Sequence, residues 1–516
     1  MSGDRLMPLA HPLGEQSERE AAGPSVVLDT FAGRVHVEWE PAAPVTALGH
    51  LPFFVEFLKQ GGLFDNWVAA CPLHYTSPNA PKKRDVLGTM VLSILAGHWR
   101  YAHITAVRGD GVNPGLLGME RVVSEDAVRR ALKKMPETDA EVWLRRHLDE
   151  TTLPLLGVPW ILDVDATVKP LFGHQEGAVV GYNPHKPGRP SHTLHTYWVA
   201  GLRLVLDVEV KAGNEHASAH SAPALWGLLD RLGRDRWPWL LRGDADFGTE
   251  RIMSRAEQEG MPYLFKLRST RNVKRLIEKA MGEAEWTAAG QGWQGKASTL
   301  RLQGWSRHRR VVILRRRLAR EVLVTDRPGG PAPQLALSFA EVTEDRAVYE
   351  YAVLVTALDL EVLSVAQLYR DRADAENGFD ETKNQWGWGG FTTHDLQRCR
   401  VMARCVGLVY NWWSLFGRLA DPDRRMEAIT SRPLLLHGVA RRTRHAGQTT
   451  LIITSAHGSA GKAQAALTRI AAFFADLRST AEQLTTEQRW YRILSQALVR
   501  YLNGSPLRPP PRLVPP

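Results

Sequence analysis

Tyr369, Arg372, Glu376 and Lys383 stand at the spacing Y-x2-R-x3-E-x6-K within the stretch YRDRADAENGFDETK. At about 100° per residue on an α-helix, the four positions project within roughly 60° of one another. One helix face then presents a phenol, a guanidinium, a carboxylate and an ammonium. That set suits chemistry on phosphate, with the carboxylate holding a metal ion and the two cations and the phenol gripping a strand. Taken alone, Glu376 is more simply the i, i+4 partner of Arg372.

Two strand-like segments supply further carboxylates. In ILDVDATV, alternation puts Asp163, Asp165 and Thr167 on one face and Leu162, Val164, Ala166 and Val168 on the other; in LLRGDADF, Arg242, Asp244 and Asp246 share a face. Carboxylates at the ends of apolar strands are costly to bury without a partner. A divalent cation such as Mg²⁺ is a natural one, because it is held by a few carboxylates and keeps water and phosphate oxygens as its other ligands. Two such ions about 4 Å apart activate an attacking water or 3′-hydroxyl and stabilise the leaving oxygen at phosphorus. A single strand aspartate is more often a turn, cap or ion-pair residue; the combination of three carboxylates points to metal chemistry.

The elements that must position these residues can be read from pattern. From 45 to 156 the texture is helical, with Ser124 at an N-cap position before EDAVRRALKK; short helices bearing Arg and Lys suit a DNA reader or a charged scaffold. Between 159 and 283, ILDVDATV, HTLHTYWVAG and RLVLDVEVKAG read as three strands, the last two as a hairpin. HSAPALWGLLDRLG follows as a helix, WPWLLRGD as a strand, then a helix from Thr249 and PYLFKLR as a strand. This predicts a mixed α/β sheet covered on both faces. Residues 284–345 break the rhythm with the strand-like runs EAEWTAA, KASTLRLQGW, RRVVILRRRL, EVLVTD and PQLALSF, a β-rich insertion; EYAVLVT then resumes the sheet. Ser364 and Gln367 form a capping-box start to the helix that carries Glu376. Helices are expected from Asp395 to Ala420 and, interrupted, over 421–502. Residues 1–25 and the Pro-rich tail 503–516 are expected to lack regular structure.

The chain of 516 residues is 44% hydrophobic, enough for several cores, and carries a net charge of +10. Such a balance favours polyanionic partners, nucleic acid first. Cys71, Cys399 and Cys405 are too scattered for a disulfide framework or zinc site, and His174, His185, His192 and His195 are not at zinc spacing. With no signal-peptide pattern and no apolar run near 18 residues, the expectation is a soluble, cytoplasmic and, given the charge, nucleoid-associated protein.

The D-A-T of LDVDAT, the R-G-D-A-D-F segment and the Tyr-Arg-Glu-Lys helix together resemble the DDE transposases of bacterial insertion sequences. The fragments GHQEGAVVGYNPHKPGRPS and KAGNEHASA resemble one branch of that group, and the likeness covers roughly residues 80–420. It implies an RNase H-like core, with a β-rich insertion between the second and third carboxylates and helical regions at either end. It implies Asp165, Asp244 and Glu376 as catalytic metal ligands, with Asp163 and Asp246 as local rivals, and Mg²⁺, or Mn²⁺ in its place, as two ions. Asp371, Asp374 and Glu381 lie off the shared face and are expected to be solvated, with Asp380 near it. The resemblance makes Tyr369, Arg372 and Lys383 phosphate contacts. The loop residues Tyr182, Lys186 and Arg189 suit close approach to DNA. Trp293, with Trp286 and Trp305, is a candidate to stack on an unpaired base, and the arginines from Arg307 to Arg320 a candidate track for the backbone.

The implied partner is double-stranded DNA, both element ends and target, with a homodimer in the complex that synapses the ends. Two other readings stay open at this point: a domesticated DNA-binding protein without catalysis, and a structure-selective nuclease of the same fold that cuts without joining.

Overall fold

The computed structural model describes residues 26–39, 41, 43–183, 186–318, 348–480 and 483–509. Its centre is a mixed sheet of ten strands: β1 (Ile161–Pro170), β2 (Val179–Val180), β3 (Pro190–Val199), β4 (Leu204–Ala212), β5 (Leu240–Gly243), β6 (Tyr263–Lys266), β7 (Thr287–Gly290), β8 (Trp293–Leu300), β9 (Arg309–Arg317) and β10 (Tyr349–Thr356). The order is β7–β8–β9–β10–β6–β5–β1–β3, with β2 beside the first residues of β3 and β4 along the rest. β1, β3 and β4 are antiparallel neighbours, whereas β5 runs parallel to β1 and β6 parallel to β5. This is the mixed sheet that the alternating segments predict, and helices cover it. β3 is buried at every position after Pro190, the pattern of a strand closed on both faces.

The strands expected as an insertion do not form a sheet of their own. β9 pairs with β10 from Val311 to Arg317, so β7, β8 and β9 prolong the central sheet beyond β6. The runs EVLVTD and PQLALSF lie outside the described residues, as does the segment 1–25.

On the other side, the helix Leu396–Ala420 lies against β4. Asp395 caps it by accepting from the Arg398 amide at 2.9 Å, and every residue from Val401 to Ala420 is buried. Two of its polar residues hold the sheet directly. Asn411 bonds both the N–H and the C=O of Val205 (2.8 and 2.7 Å), which satisfies edge groups that would otherwise be open to another strand. Arg404 pairs with Asp207 at 2.8 Å. Among the described residues no helix is long and apolar enough to cross a membrane. Cys71, Cys399 and Cys405 are buried free thiols.

In the N-terminal helices Ser124 caps Glu125–Lys134, accepting from the Ala127 amide at 3.2 Å. In the C-terminal region the expected run of helices is interrupted by a hairpin, Ala440–His445 with Gln448–Ile453, which also pairs with Val45–Thr46. Its two-residue turn, Ala446 and Gly447, has φ of 47° and 81°, the left-handed pair that matches strand twist.

One hydrophobic cluster runs from Leu48 through the sheet to Leu502. A smaller one joins Leu240, Leu264, Val312, Leu314 and Leu354 to Val365 and Ala366, and so packs the helix Val362–Arg370 onto the sheet face beside β5.

Candidate active site

The parallel register of β1 and β5 brings the strand carboxylates together. Asp163 lies beside Arg242 and Val164 beside Gly243; one residue further, Asp165 and Asp244 follow at the C-terminal end of β5. Only glycine fits at 243, since a Cβ there would sit 2.8 Å from Val164 Cγ2 and 3.0 Å from Phe247 Cβ. Arg242 donates to both oxygens of Asp163 (2.6 and 2.7 Å) and to the carbonyl of Leu368. With both side chains 2% exposed, Asp163 is an anchor and not a free ligand. With Arg242 it locks β1, β5 and the helix Val362–Arg370 to one another.

Asp165 accepts from the Ala166 amide at 2.7 Å and from Arg372 Nη2. Asp244 accepts from the Asp246 amide at 2.9 Å, while Asp246 itself pairs with Arg268, 3.1 Å from its Nε. Burial pushes the Asp165 carboxyl up; Arg372 opposes this, and the nearby charges of Asp244 and Glu376 add to it. Asp244 is raised as well, by burial first and by Asp246, against the pull of Arg372.

The single helix expected to carry the Tyr-Arg-Glu-Lys face is two. Val362–Arg370 and Ala373–Asn384 meet at a turn over Asp371 and Arg372, where Arg372 N bonds Tyr369 O (3.1 Å) and Ala375 N bonds Arg372 O (2.9 Å). The capping box does not form. The helix starts at Val362 without a side-chain cap, and Gln367 bonds Asp371 instead (2.7 Å). The turn keeps helical dihedrals at Arg372, φ −67° and ψ −20°, so the face persists across it.

Arg372 and Tyr369 adjoin the strand carboxylates, and Lys383 lies along the same face of β1. Arg372 is buried, with Nη2 on Asp165 and Nη1 3.5 Å from Glu376 Oε1; the Glu376 side chain is 69% exposed. Lys383 donates to Thr167 Oγ1 at 3.2 Å, on the β1 face that carries Asp165. Tyr369 is half-buried, and burial raises its phenol, which therefore stays a neutral donor. The neighbouring acids differ from expectation. Asp371 and Asp380 are exposed, but Asp374 pairs with Arg203 at 2.7 Å. Glu381 is buried, accepting from Ala428 N (3.1 Å), Trp386 Nε1 (3.2 Å) and Arg425, because the segment 425–428 packs over that side of the helix.

Among the described residues no three His, Cys, Asp or Glu side chains close on a common point. Arg372 stands between Asp165 and Glu376. The donor set nevertheless fits a hard divalent cation: Asp165 and Asp244 are adjacent carboxylates, crowded and half-starved of solvent, and three carboxylates face one guanidinium.

The other candidates are spread around this centre. Tyr182 is exposed, and Lys186 and Arg189 both sit over the exposed ring of Phe172, each at 4.9 Å. Pro184 and His185 of that loop, like Arg320, lie outside the described residues. His192 and His195 bond the carbonyls of Glu176 and Glu215 (2.8 and 3.1 Å).

The tryptophans of β7–β9 are engaged in packing. Arg315 covers Trp286 at 3.9 Å, Trp293 packs on the smaller cluster with Arg316 5.0 Å from its ring, and Trp305 is buried. The arginines there hold the strands to the core. Arg309 bonds Glu250 and Glu257 (2.5 and 2.7 Å), Arg310 the carbonyls of Leu358 and Leu360, and Arg316 Glu350. The Asp163–Arg242 lock was visible in the sequence as the matched spacings D-x-D and R-x-D; parallel pairing turns the first residues into an ion pair and the second into neighbours.

Residues 80–474 match the family described as transposase DDE domain group 1. No curated protein matches the chain. Among solved structures, a piggyBac transposase synaptic complex with hairpin DNA, determined by cryo-electron microscopy, is similar over 88% of this chain and 87% of that chain, at 11% identity and a TM-score of 0.37.

Proposed function

The chain belongs to the group 1 family of transposase DDE domains, and from that membership we propose that it acts on the terminal inverted repeats of an insertion sequence, with Asp165, Asp244 and Glu376 as its catalytic metal ligands. As a DDE transposase it is an enzyme of DNA cleavage and strand transfer that works with divalent metal ions. The observation that carries the residue assignment is the β1–β5 register, which leaves Asp165 and Asp244 as neighbours while Asp163 is bound to Arg242.

Asp165 and Asp244, completed by Glu376, would hold Mg²⁺, or Mn²⁺ in its place, as two ions. Bound there, such ions lower the pKa of an attacking water or 3′-hydroxyl and stabilise the leaving oxygen of an in-line displacement. Arg372 holds the two flanking carboxylates in the meantime and offers its planar fork to a phosphate once their charge is shared. Lys383 supplies a point charge beside Thr167, and Tyr369 a neutral hydroxyl for a phosphate oxygen. Tyr182, Lys186 and Arg189, on the exposed stretch between β2 and β3, would follow the duplex backbone. Trp293 keeps at most a supporting part, given its packing.

Joining needs no external energy source, because one phosphodiester replaces another. Cutting two ends in concert calls for at least a homodimer in the synaptic complex, and the chromosomal substrate puts the enzyme at the nucleoid. The test is a cleavage and joining assay on duplexes made from the DNA flanking the gene, with Mg²⁺ or EDTA. Metal-dependent cutting followed by joining to a second duplex supports the proposal. Cutting without joining would favour a nuclease, and binding without cutting a domesticated descendant.

A further inference from the structure

Glu376 has little of its own to hold it. Among the described residues its polar partner is Arg372, 3.5 Å away, and the rest of the side chain is open to solvent. Where its carboxylate points is therefore set by the rotation of the helix Ala373–Asn384, and by whatever fixes that rotation.

The helix is gripped from the side opposite the carboxylate. At about 100° per residue, Asp374 and Glu381 lie within about 20° of one another, and Gln385, at the end of the helix, within about 40° of both. Glu376 and Lys383 project roughly 160–180° away from Asp374. Each residue of the rear stripe is bonded. Asp374 accepts from Arg203 Nε at 2.7 Å, and Glu381 from Arg425, Trp386 and the Ala428 amide. Gln385 accepts from the Ile429 amide (2.8 Å) and donates to Glu427 (3.1 Å), while its carbonyl accepts from Arg432 (2.6 Å). Glu427 in turn pairs with Arg203 Nη1 at 3.2 Å. The segment 425–432 thus spans the back of the helix, and Arg203 ties it to Asp374, two residues before Glu376.

Arg203 stands in the turn between β3 and β4 with a φ of 52°, a left-handed conformation that glycine adopts more easily than arginine. The turn is itself fixed to the core, since Leu202 is buried and its carbonyl accepts from Arg418 of the helix Leu396–Ala420 at 2.7 Å. A side chain kept where the backbone disfavours it points to a use for that side chain. Here the guanidinium, 14% exposed, reaches Asp374 with one edge and Glu427 with the other.

We propose that Arg203 is a positioning residue for the third carboxylate: by holding Asp374 against the segment 425–432, it sets the helix rotation that turns Glu376 towards Asp165 and Asp244. This rests on the transposase reading. The test uses the full chain with Arg203→Gly, which suits the left-handed turn and removes only the side chain, alongside Arg203→Lys and Asp374→Asn. Asp374 and Glu427 are 33% and 36% exposed, so their charges stay hydrated without the guanidinium. Mn²⁺ binding is titrated by the electron paramagnetic resonance of the free ion, and strand transfer on flanking-end duplexes is followed against Mn²⁺ concentration. Arg203→Gly should leave the melting temperature and metal-free DNA binding close to wild type, and raise the Mn²⁺ concentration for half-saturation about tenfold in both assays. Arg203→Lys, which can reach Asp374 but not bridge to Glu427, should fall between. Adding Asp374→Asn to Arg203→Gly should cost nothing further, because the two act as one unit. If the wild type cuts, an Mn²⁺ midpoint unmoved in Arg203→Gly, or an equal loss of activity at every Mn²⁺ concentration with a lower melting temperature, overturns the proposal and leaves the transposase reading standing. A wild type that neither binds Mn²⁺ nor cuts overturns both.

Discussion

Asp163 and Asp165 are two residues apart on one strand face yet meet different partners, because Arg242 lies opposite the first and Arg372 reaches the second. The Asp163–Arg242 pair is buried, so its value lies in what its loss would leave behind. Removing one partner strands a buried charge, at a cost of about 3–5 kcal/mol. Arg242→Ala is therefore expected to lower chemical-denaturation stability by that amount, and Arg242→Lys to recover little, because lysine cannot span both oxygens of Asp163 and the Leu368 carbonyl. Full stability in Arg242→Ala would remove the lock from the account. For Arg372, held between Asp165 and Glu376, Arg372→Lys should lower strand transfer by about tenfold or more even at a temperature where the variant remains folded, since a point charge replaces a bidentate fork. Much of this was legible in the sequence: period-two alternation puts D-x-D and R-x-D on faces, and helical spacing gathers Tyr369, Arg372, Glu376 and Lys383. The burial of Arg372 against Asp165 was not, because that contact joins residues 207 positions apart.

At the scale of elements, the sheet is longer than pattern alone suggests. Local alternation identifies β7, β8 and β9 as strands but says nothing of which strand they pair with, and the pairing of β9 with β10 is fixed by tertiary packing. The arginine-rich sequence of β9 suggested a DNA track. Arg309 instead finds Glu250 and Glu257 on the helix Glu250–Gln258, partners more than 50 residues away that no local rule reveals. This tether is pH-sensitive. Burial pushes the Glu250 carboxyl up, but hydrogen bonds from Arg309, Ser306 and Ser254 outweigh it and pull the group down to about 2, from 4.5. A depressed carboxylate contributes stability in full above its unfolded pKa and loses it as pH falls through its folded one. The melting temperature should thus drop between pH 4.5 and 2, and Glu250→Gln should start lower at neutral pH and flatten that acid limb. An unchanged acid limb in the variant would mean that the tether adds nothing. The break between the two site helices was equally hidden, since bonds to the third residue replace those to the fourth at Arg372 without any glycine or proline to announce it.

For the molecule as a whole, helical ends and sheet share one hydrophobic cluster from Leu48 to Leu502. Composition indicated ample core but could not tell one core from several, because periodicity marks a buried face and not its partner. A shared core predicts a single cooperative unfolding transition for the full chain, and a fragment limited to residues 159–420 that binds a hydrophobic dye and lacks near-ultraviolet circular dichroism. Separate transitions, or a fragment that melts cooperatively, would contradict it. Asp165, Asp244 and Glu376 border Arg372 and are proposed as the ligands for metal-dependent transposition, with Asp163 as an anchor. The most direct measurement is cleavage and strand transfer on flanking-end duplexes by Asp165→Asn, Asp244→Asn, Glu376→Gln and Asp163→Asn, with DNA binding followed in parallel. The first three should bind DNA yet neither cut nor join, and Asp163→Asn, though less stable, should retain metal-dependent activity at low temperature. Activity surviving Asp165→Asn or Glu376→Gln would contradict it.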